Sequence, residues 1–204
     1  MLAPMSSGSG RRIGVFGGTF DPPHLGHVAT ALEVRHLLAL DEVVFVVAGD
    51  PWQKSGDRSI SPSAVRVAMT EAAIAGVSGA RVSTIEVDRG GPSYSVETLE
   101  ALRAVDPDDD HFLIVGSDAA AGLDTWHRAG DLAELATIVV VDRGGREGGR
   151  PPAGWPYALV DVPALEVSSS DLRRRVATGA PIRGMVAAEV ADLIAEHDLY
   201  GTES

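Results

Sequence analysis

The chain has 204 residues and a formal net charge of −12, so it can bury one sizeable core but has no basic excess for nonspecific nucleic-acid or anionic-membrane binding. It contains no cysteine, which excludes disulfides, thiol nucleophiles and cysteine-ligated metals. Every Lys/Arg position is arginine except Lys54.

Residues 1–10 are small, polar and Gly/Ser-rich, which predicts a disordered N-terminal segment ahead of a single domain over 11–204. Short apolar, Val/Ile-rich runs then predict strands at 13–16, 42–47, 81–87, 111–115, 137–142 and 157–162, as expected where both faces of a sheet are covered. Helical segments are predicted between and beyond them, at 25–40, 62–75, 96–104, 131–135, 169–178 and 186–197, with Ser61 read as the cap of the second. The Gly/Pro/Arg-rich stretch 144–156 reads as a mobile loop. Strands alternating with helices indicate a doubly wound, mainly parallel α/β sheet with a helical C-terminal part, whose ligands gather beyond the carboxyl ends of the strands. No apolar run is long enough to span a bilayer, and the expectation is a soluble cytoplasmic protein.

The first such strand end carries Gly17-Gly18-Thr19-Phe20-Asp21-Pro22-Pro23-His24-Leu25-Gly26-His27. Glycines let backbone N–H groups approach an anion, and a helix start adds unpaired N–H groups and a favourable dipole. His24 and His27 are spaced to share a face and to donate to phosphate oxygens. A structural cap or a pair of metal ligands are the alternatives, and zinc would need further ligands that the sequence does not place. The turn lacks the lysine and hydroxyl of a Walker loop and the glycine spacing of the dinucleotide fingerprint. Near the other end, Ser168-Ser169-Ser170-Asp171-Leu172-Arg173 reads as a capped helix start that could equally hold phosphate, with Arg174 and Arg175 turned to solvent or acidic neighbours.

Together these two motifs resemble the nucleotidyltransferase superfamily of adenylyltransferases, Ser170 standing where threonine is usual. The resemblance runs from Ile13 to about Tyr200 and extends to Pro51-Trp52-Gln53-Lys54, Gly90–Leu99, Gly116-Ser117-Asp118 and Thr125-Trp126-His127, which are similar to the bacterial nicotinate-mononucleotide adenylyltransferases. It implies a Rossmann-like fold and transfer of the adenylyl group of ATP to nicotinate mononucleotide, giving deamido-NAD and pyrophosphate. By resemblance, Gly17, Gly18, Thr19, Phe20, His24, His27, Gly116, Asp118, Ser168, Ser169, Ser170 and Arg173 would bind ATP. Lys54, Ser95, Trp126, His127 and Arg143 would bind nicotinate mononucleotide, and His24, His27, Lys54 and Arg173 would serve the transfer itself. Mg²⁺ would travel with ATP rather than sit in a protein cage. Preference for the amide mononucleotide or for both, and a nucleotide-binding regulator without turnover, are the competing readings. Oligomeric state is left open by the sequence, a homo-oligomer included.

Overall fold

A computed structural model describes residues 10–50, 60–145 and 147–201. In chain order they form β1 (Arg12–Gly18), α1 (Leu25–Leu37), β2 (Glu42–Val47), α2 (Ser63–Ile74), β3 (Ala80–Ser83), α3 (Ile85–Arg89), α4 (Ser95–Val105), β4 (Asp110–Gly116), α5 (Ser117–Ala120), α6 (Leu132–Leu135), β5 (Thr137–Arg143), β6 (Tyr157–Val162), α7 (Ser169–Ala177) and α8 (Ala188–Glu196). Short 3₁₀ turns at Leu123–Thr125 and Ala129–Asp131 link α5 to α6. Apart from Gly10, the N-terminal segment expected to be disordered lies outside the described residues, as do Trp52 and Lys54.

The strands build one parallel sheet in the order β3-β2-β1-β4-β5-β6. From β1 the chain first moves outward through β2 and β3, then returns to β4 on the other side of β1. Strand order reverses between β1 and β4, and the crevice beyond their carboxyl ends is the topological switch point where ligands bind in such sheets.

Both faces of the inner strands are covered, and β2 and β5 run as continuous buried stretches, whereas the edge strand β6 alternates exposed and buried positions. Val43, Phe45 and Val47 enter one core with Ala31 and Val34 of α1. Val44 and Val46 face the opposite core, where Val96 and Leu99 of α4 and Leu132 of α6 close over them. The C-terminal helices dock elsewhere: Leu172 of α7 and Val190 and Ile194 of α8 pack on Met69 of α2. Among the described residues, no helix is long and apolar enough to cross a membrane.

Two expectations change. The run 81–87 is not one strand, since β3 stops at Ser83 and α3 follows. The edge strand β3 pairs with β2 as far as Ser83 opposite Val46. Beyond that point Glu86 turns inward, and its carboxylate accepts a hydrogen bond from Thr98 at 2.6 Å. Ser61 is not the cap of α2; Pro62 holds that position, and the Ser61 carbonyl accepts a hydrogen bond from Arg66. Beyond β5, the Arg150 guanidinium grips the buried Asp142 carboxylate at 2.9 and 2.5 Å.

Candidate active site

Where β1 ends, the chain turns through residues 19–23 before α1 begins. The turn is strained and tightly packed. Phe20 takes left-handed backbone (φ 49°), which costs a non-glycine residue ~1–2 kcal/mol. Its ring offsets that cost by burial against Phe16, Phe45 and His27, with centroids 6.0, 5.6 and 5.1 Å away. The Phe20 side chain belongs to the core, which leaves its backbone to meet the ligand expected at this turn.

His24 is the N-cap of α1 and His27 lies one turn in, with their rings stacked at 3.7 Å. The His24 backbone N–H donates to His27 Nδ1 at 3.2 Å, so an uncharged His27 carries its proton on Nε2. Burial, and after it the charge of Arg143, push the His24 pKa down to about 4. At neutral pH His24 is therefore an uncharged imidazole, and among the described residues its buried Nδ1 has no partner at hydrogen-bonding geometry. A neutral N–H donor at a helix start is what this position offers an anion.

A second helix start meets the same turn. Ser168 caps α7 by accepting the Asp171 N–H at 3.1 Å. Ser169 Oγ donates to the Pro22 carbonyl at 2.8 Å. Arg173 donates from Nη1 to the Asp21 carbonyl at 2.7 Å and from Nη2 to Ser170 Oγ at 2.9 Å. Residues 147 and 152 positions apart are thus bonded directly, bringing the N-termini of α1 and α7 to one place.

Two cavities flank this point. One, of about 460 Å³, is lined by Gly17, Gly18 and Thr19 from the β1 tip, Ser95 at the start of α4, and Trp126 and His127. His127 is stacked on Tyr94, centroids 4.3 Å apart, which fixes the far wall. The other, of about 570 Å³, is lined by Ser117, Arg143, Glu147, Gly148 and Ser168 among others. Gly116 and Asp118, at the end of β4 and the start of α5, line both.

The structure therefore gathers Ser95, Trp126 and His127 as one group and places Ser168 beside Gly116 and Asp118. Arg143, expected with the Trp126 group, lines the opposite cavity, because β5 ends one strand farther across the sheet than β4. Gly17, Gly18 and Thr19, expected on the ATP side, line the Trp126 cavity, since β1 borders that cavity alone and the end of β4, with Gly116, is what the two share. Among the described residues no group of three or more His, Asp or Glu could hold a metal ion.

Two residues escaped the sequence reading. Arg66, 2% exposed, donates to the carbonyls of Ser61 (2.9 Å), Thr19 (3.0 Å), Ala48 (2.6 Å) and Gly49 (3.2 Å), and so joins the tips of β1 and β2 to the start of α2. Its signal was a charged residue on the buried stripe of α2 shared with Met69 and Thr70. Tyr200 donates its hydroxyl to Asp21 Oδ1 at 2.6 Å; nothing local marks a tyrosine beyond the last helix as a partner of the first turn.

Comparison with known proteins gives this geometry a context. Residues 15–175 match the model of the cytidylyltransferase-like family. Among curated relatives, the probable nicotinate-nucleotide adenylyltransferase of Streptomyces coelicolor is 46% identical over 92% of this chain and 100% of its own length. That of Frankia casuarinae is 47% identical over 90% of this chain and 97% of its own. Among solved structures, Plasmodium falciparum nicotinic acid mononucleotide adenylyltransferase complexed with NaAD superposes with a TM-score of 0.77, covering 93% of this chain and 97% of that one. At 19% identity that likeness speaks to the fold.

Proposed function

The chain belongs to the cytidylyltransferase-like family, within it to the nicotinate-nucleotide adenylyltransferases, and from that premise we propose that it joins nicotinate mononucleotide to ATP. A 5′-phosphate oxygen of the mononucleotide attacks the α-phosphorus of ATP, the bond to the β-phosphate oxygen breaks, and deamido-NAD and pyrophosphate leave. Both reactants arrive charged and no protein nucleophile is needed, so the site must align two anions and offset their repulsion.

The observation that carries this reading is the junction itself. Two helix N-termini, one bearing His24 and His27 and the other Ser168 and Arg173, are bonded to one turn between two cavities that share Gly116 and Asp118. In this assignment the larger cavity takes the adenosine of ATP, with Asp118 accepting from ribose hydroxyls. Backbone N–H groups near Gly18 and Thr19 face the phosphates, together with His24 and His27. Arg173 and the α7 start with Ser168, Ser169 and Ser170 grip the triphosphate from the other side, and Arg143 adds charge on the adenosine side. Trp126 stacks on the pyridine ring in the smaller cavity, and backbone N–H groups near Ser95 and His127 receive its carboxylate. Lys54, outside the described residues, is proposed from the sequence alone to meet a substrate phosphate. Mg²⁺ enters as part of the ATP complex, held by phosphates and water. The cytoplasm, where both substrates are available, is the proposed compartment.

Incubation with ATP, Mg²⁺ and nicotinate mononucleotide should release pyrophosphate and deamido-NAD in equal amounts. The kcat/KM with the acid should exceed that with the amide mononucleotide. Absence of pyrophosphate would leave a nucleotide-binding protein without turnover, and equal kcat/KM values would remove the acid preference.

A further inference from the structure

After α8 the chain passes through a turn in which Asp198 (φ 48°) and Tyr200 (φ 62°) both take left-handed backbone. Such strain persists where the surroundings hold it in place, and it clusters near functional sites. What holds Tyr200 is the phosphate turn at the other end of the chain. Its hydroxyl donates to Asp21 Oδ1 at 2.6 Å across 179 positions, while its ring packs on the cluster that joins α2, α7 and α8. Burial, and then the bond to Asp21, hold the hydroxyl well above the usual tyrosine range, so it stays a donor at any working pH.

Asp21 is only 1% exposed and is gripped on two sides. Its carboxylate receives Tyr200, and its backbone carbonyl receives Arg173 at 2.7 Å. The neighbouring Phe20 is itself in left-handed backbone, so this turn depends on outside contacts to keep its shape. We propose that Tyr200 is a positioning residue for the triphosphate half of the site: through Asp21 it sets the carbonyl on which Arg173 docks, and with it the guanidinium beside the start of α1. This inference rests on the assignment of Arg173 to the triphosphate. A role confined to anchoring the chain end would weaken both ligands alike or neither, whereas positioning weakens ATP alone.

Tyr200→Phe removes the hydroxyl and keeps the ring. Calorimetric titration of the full chain should show Mg–ATP affinity falling about tenfold, roughly the worth of one hydrogen bond, with nicotinate mononucleotide affinity unchanged. Arg173→Ala alone should also weaken Mg–ATP, and adding Tyr200→Phe to it should cost nothing further, as for residues that act as one unit. Unchanged Mg–ATP affinity in Tyr200→Phe, equal losses for both ligands, or additive losses in the double variant would overturn the proposal. Should Tyr200→Phe fold poorly, Asp21→Asn weakens the acceptor instead and is expected to give the same split. A wild-type chain that binds Mg–ATP without releasing pyrophosphate would sink the proposed activity and leave this inference standing.

Discussion

His24 and His27 occupy one face of one helix turn, yet their surroundings give them different tasks. His24 is buried and held uncharged, so it cannot serve as a fixed positive charge before a nucleotide arrives. That has a cost at low pH. The unfolded residue titrates near 6.5 and the folded one near 4, so between these values the unfolded chain takes up a proton that the folded chain refuses. Stability from this source is complete above pH 6.5 and is lost as pH falls toward 4, by up to about 3 kcal/mol for a shift of this size. Urea unfolding at pH 7 and 4.5 should show a smaller acid loss for His24→Gln than for the wild type, and parallel losses would contradict it. His27 is the better candidate for a donor that strengthens in the transition state, its Nδ1 already engaged by the His24 backbone. His27→Ala should lower kcat on the order of 10²-fold, the usual loss for one well-aimed donor, with little change in Tm. An unchanged kcat would remove His27 from the transfer step.

Among the elements, α2 carries more of the site than its distance along the sequence suggests. Arg66 spends its guanidinium on four backbone carbonyls, at the tips of β1 and β2 and at Ser61. Arg66→Met leaves these acceptors without that partner, expected to cost on the order of 3 kcal/mol in urea unfolding. It should also lower kcat/KM, since the Thr19 carbonyl belongs to the turn proposed to face the phosphates. Arg66→Lys, with a charge but no planar fork, should recover only part of the loss; full recovery would mean that the charge alone matters. The same residue shows where sequence stops being legible. The β1 and α7 motifs were readable because each is contiguous and its chemistry lies in adjacent positions. Arg66 and Tyr200 act through partners 5 to 47 and 179 positions away, and only the fold brings those together. The misread of Ile85–Val87 has a different source: three residues satisfy strand alternation and a helical turn equally, and the buried Glu86–Thr98 bond accompanies the helix. The Phe20 ring, large and apolar beside Phe16 and Phe45, is drawn into the core although the residue sits inside the motif.

For the molecule as a whole, the alternation of elements implied a parallel sheet but not its strand order, which brings the two motifs to the same crevice. The electrostatics of that crevice are less obvious. The chain carries a net charge of −12 yet is proposed to bind two phosphate-bearing substrates. Among the described residues, the larger cavity is lined by Asp118, Glu147, Glu166 and Asp171 and by one arginine, Arg143. In the proposed assignment, helix N-termini and Arg173 favour the phosphates locally, while carboxylates such as Asp118 oppose them, and Asp171 is offset by its ion pair with Arg174; one unit charge about 8 Å away at an effective dielectric constant of about 20 is worth roughly 2 kcal/mol. Mg²⁺ cancels two charges on ATP before it enters. The protein should therefore discriminate strongly for the metal complex: titration with ATP in the presence of a chelator should show affinity at least about tenfold weaker than with Mg²⁺, given that about 1.4 kcal/mol is a factor of ten. The gap should narrow as salt is raised, because exposed charges are screened over about 10 Å at 0.1 M ionic strength. Equal affinities for free and Mg-bound ATP at low salt would mean that the helix starts and arginine outweigh the acidic lining, and that the charge of the whole chain does not reach the site.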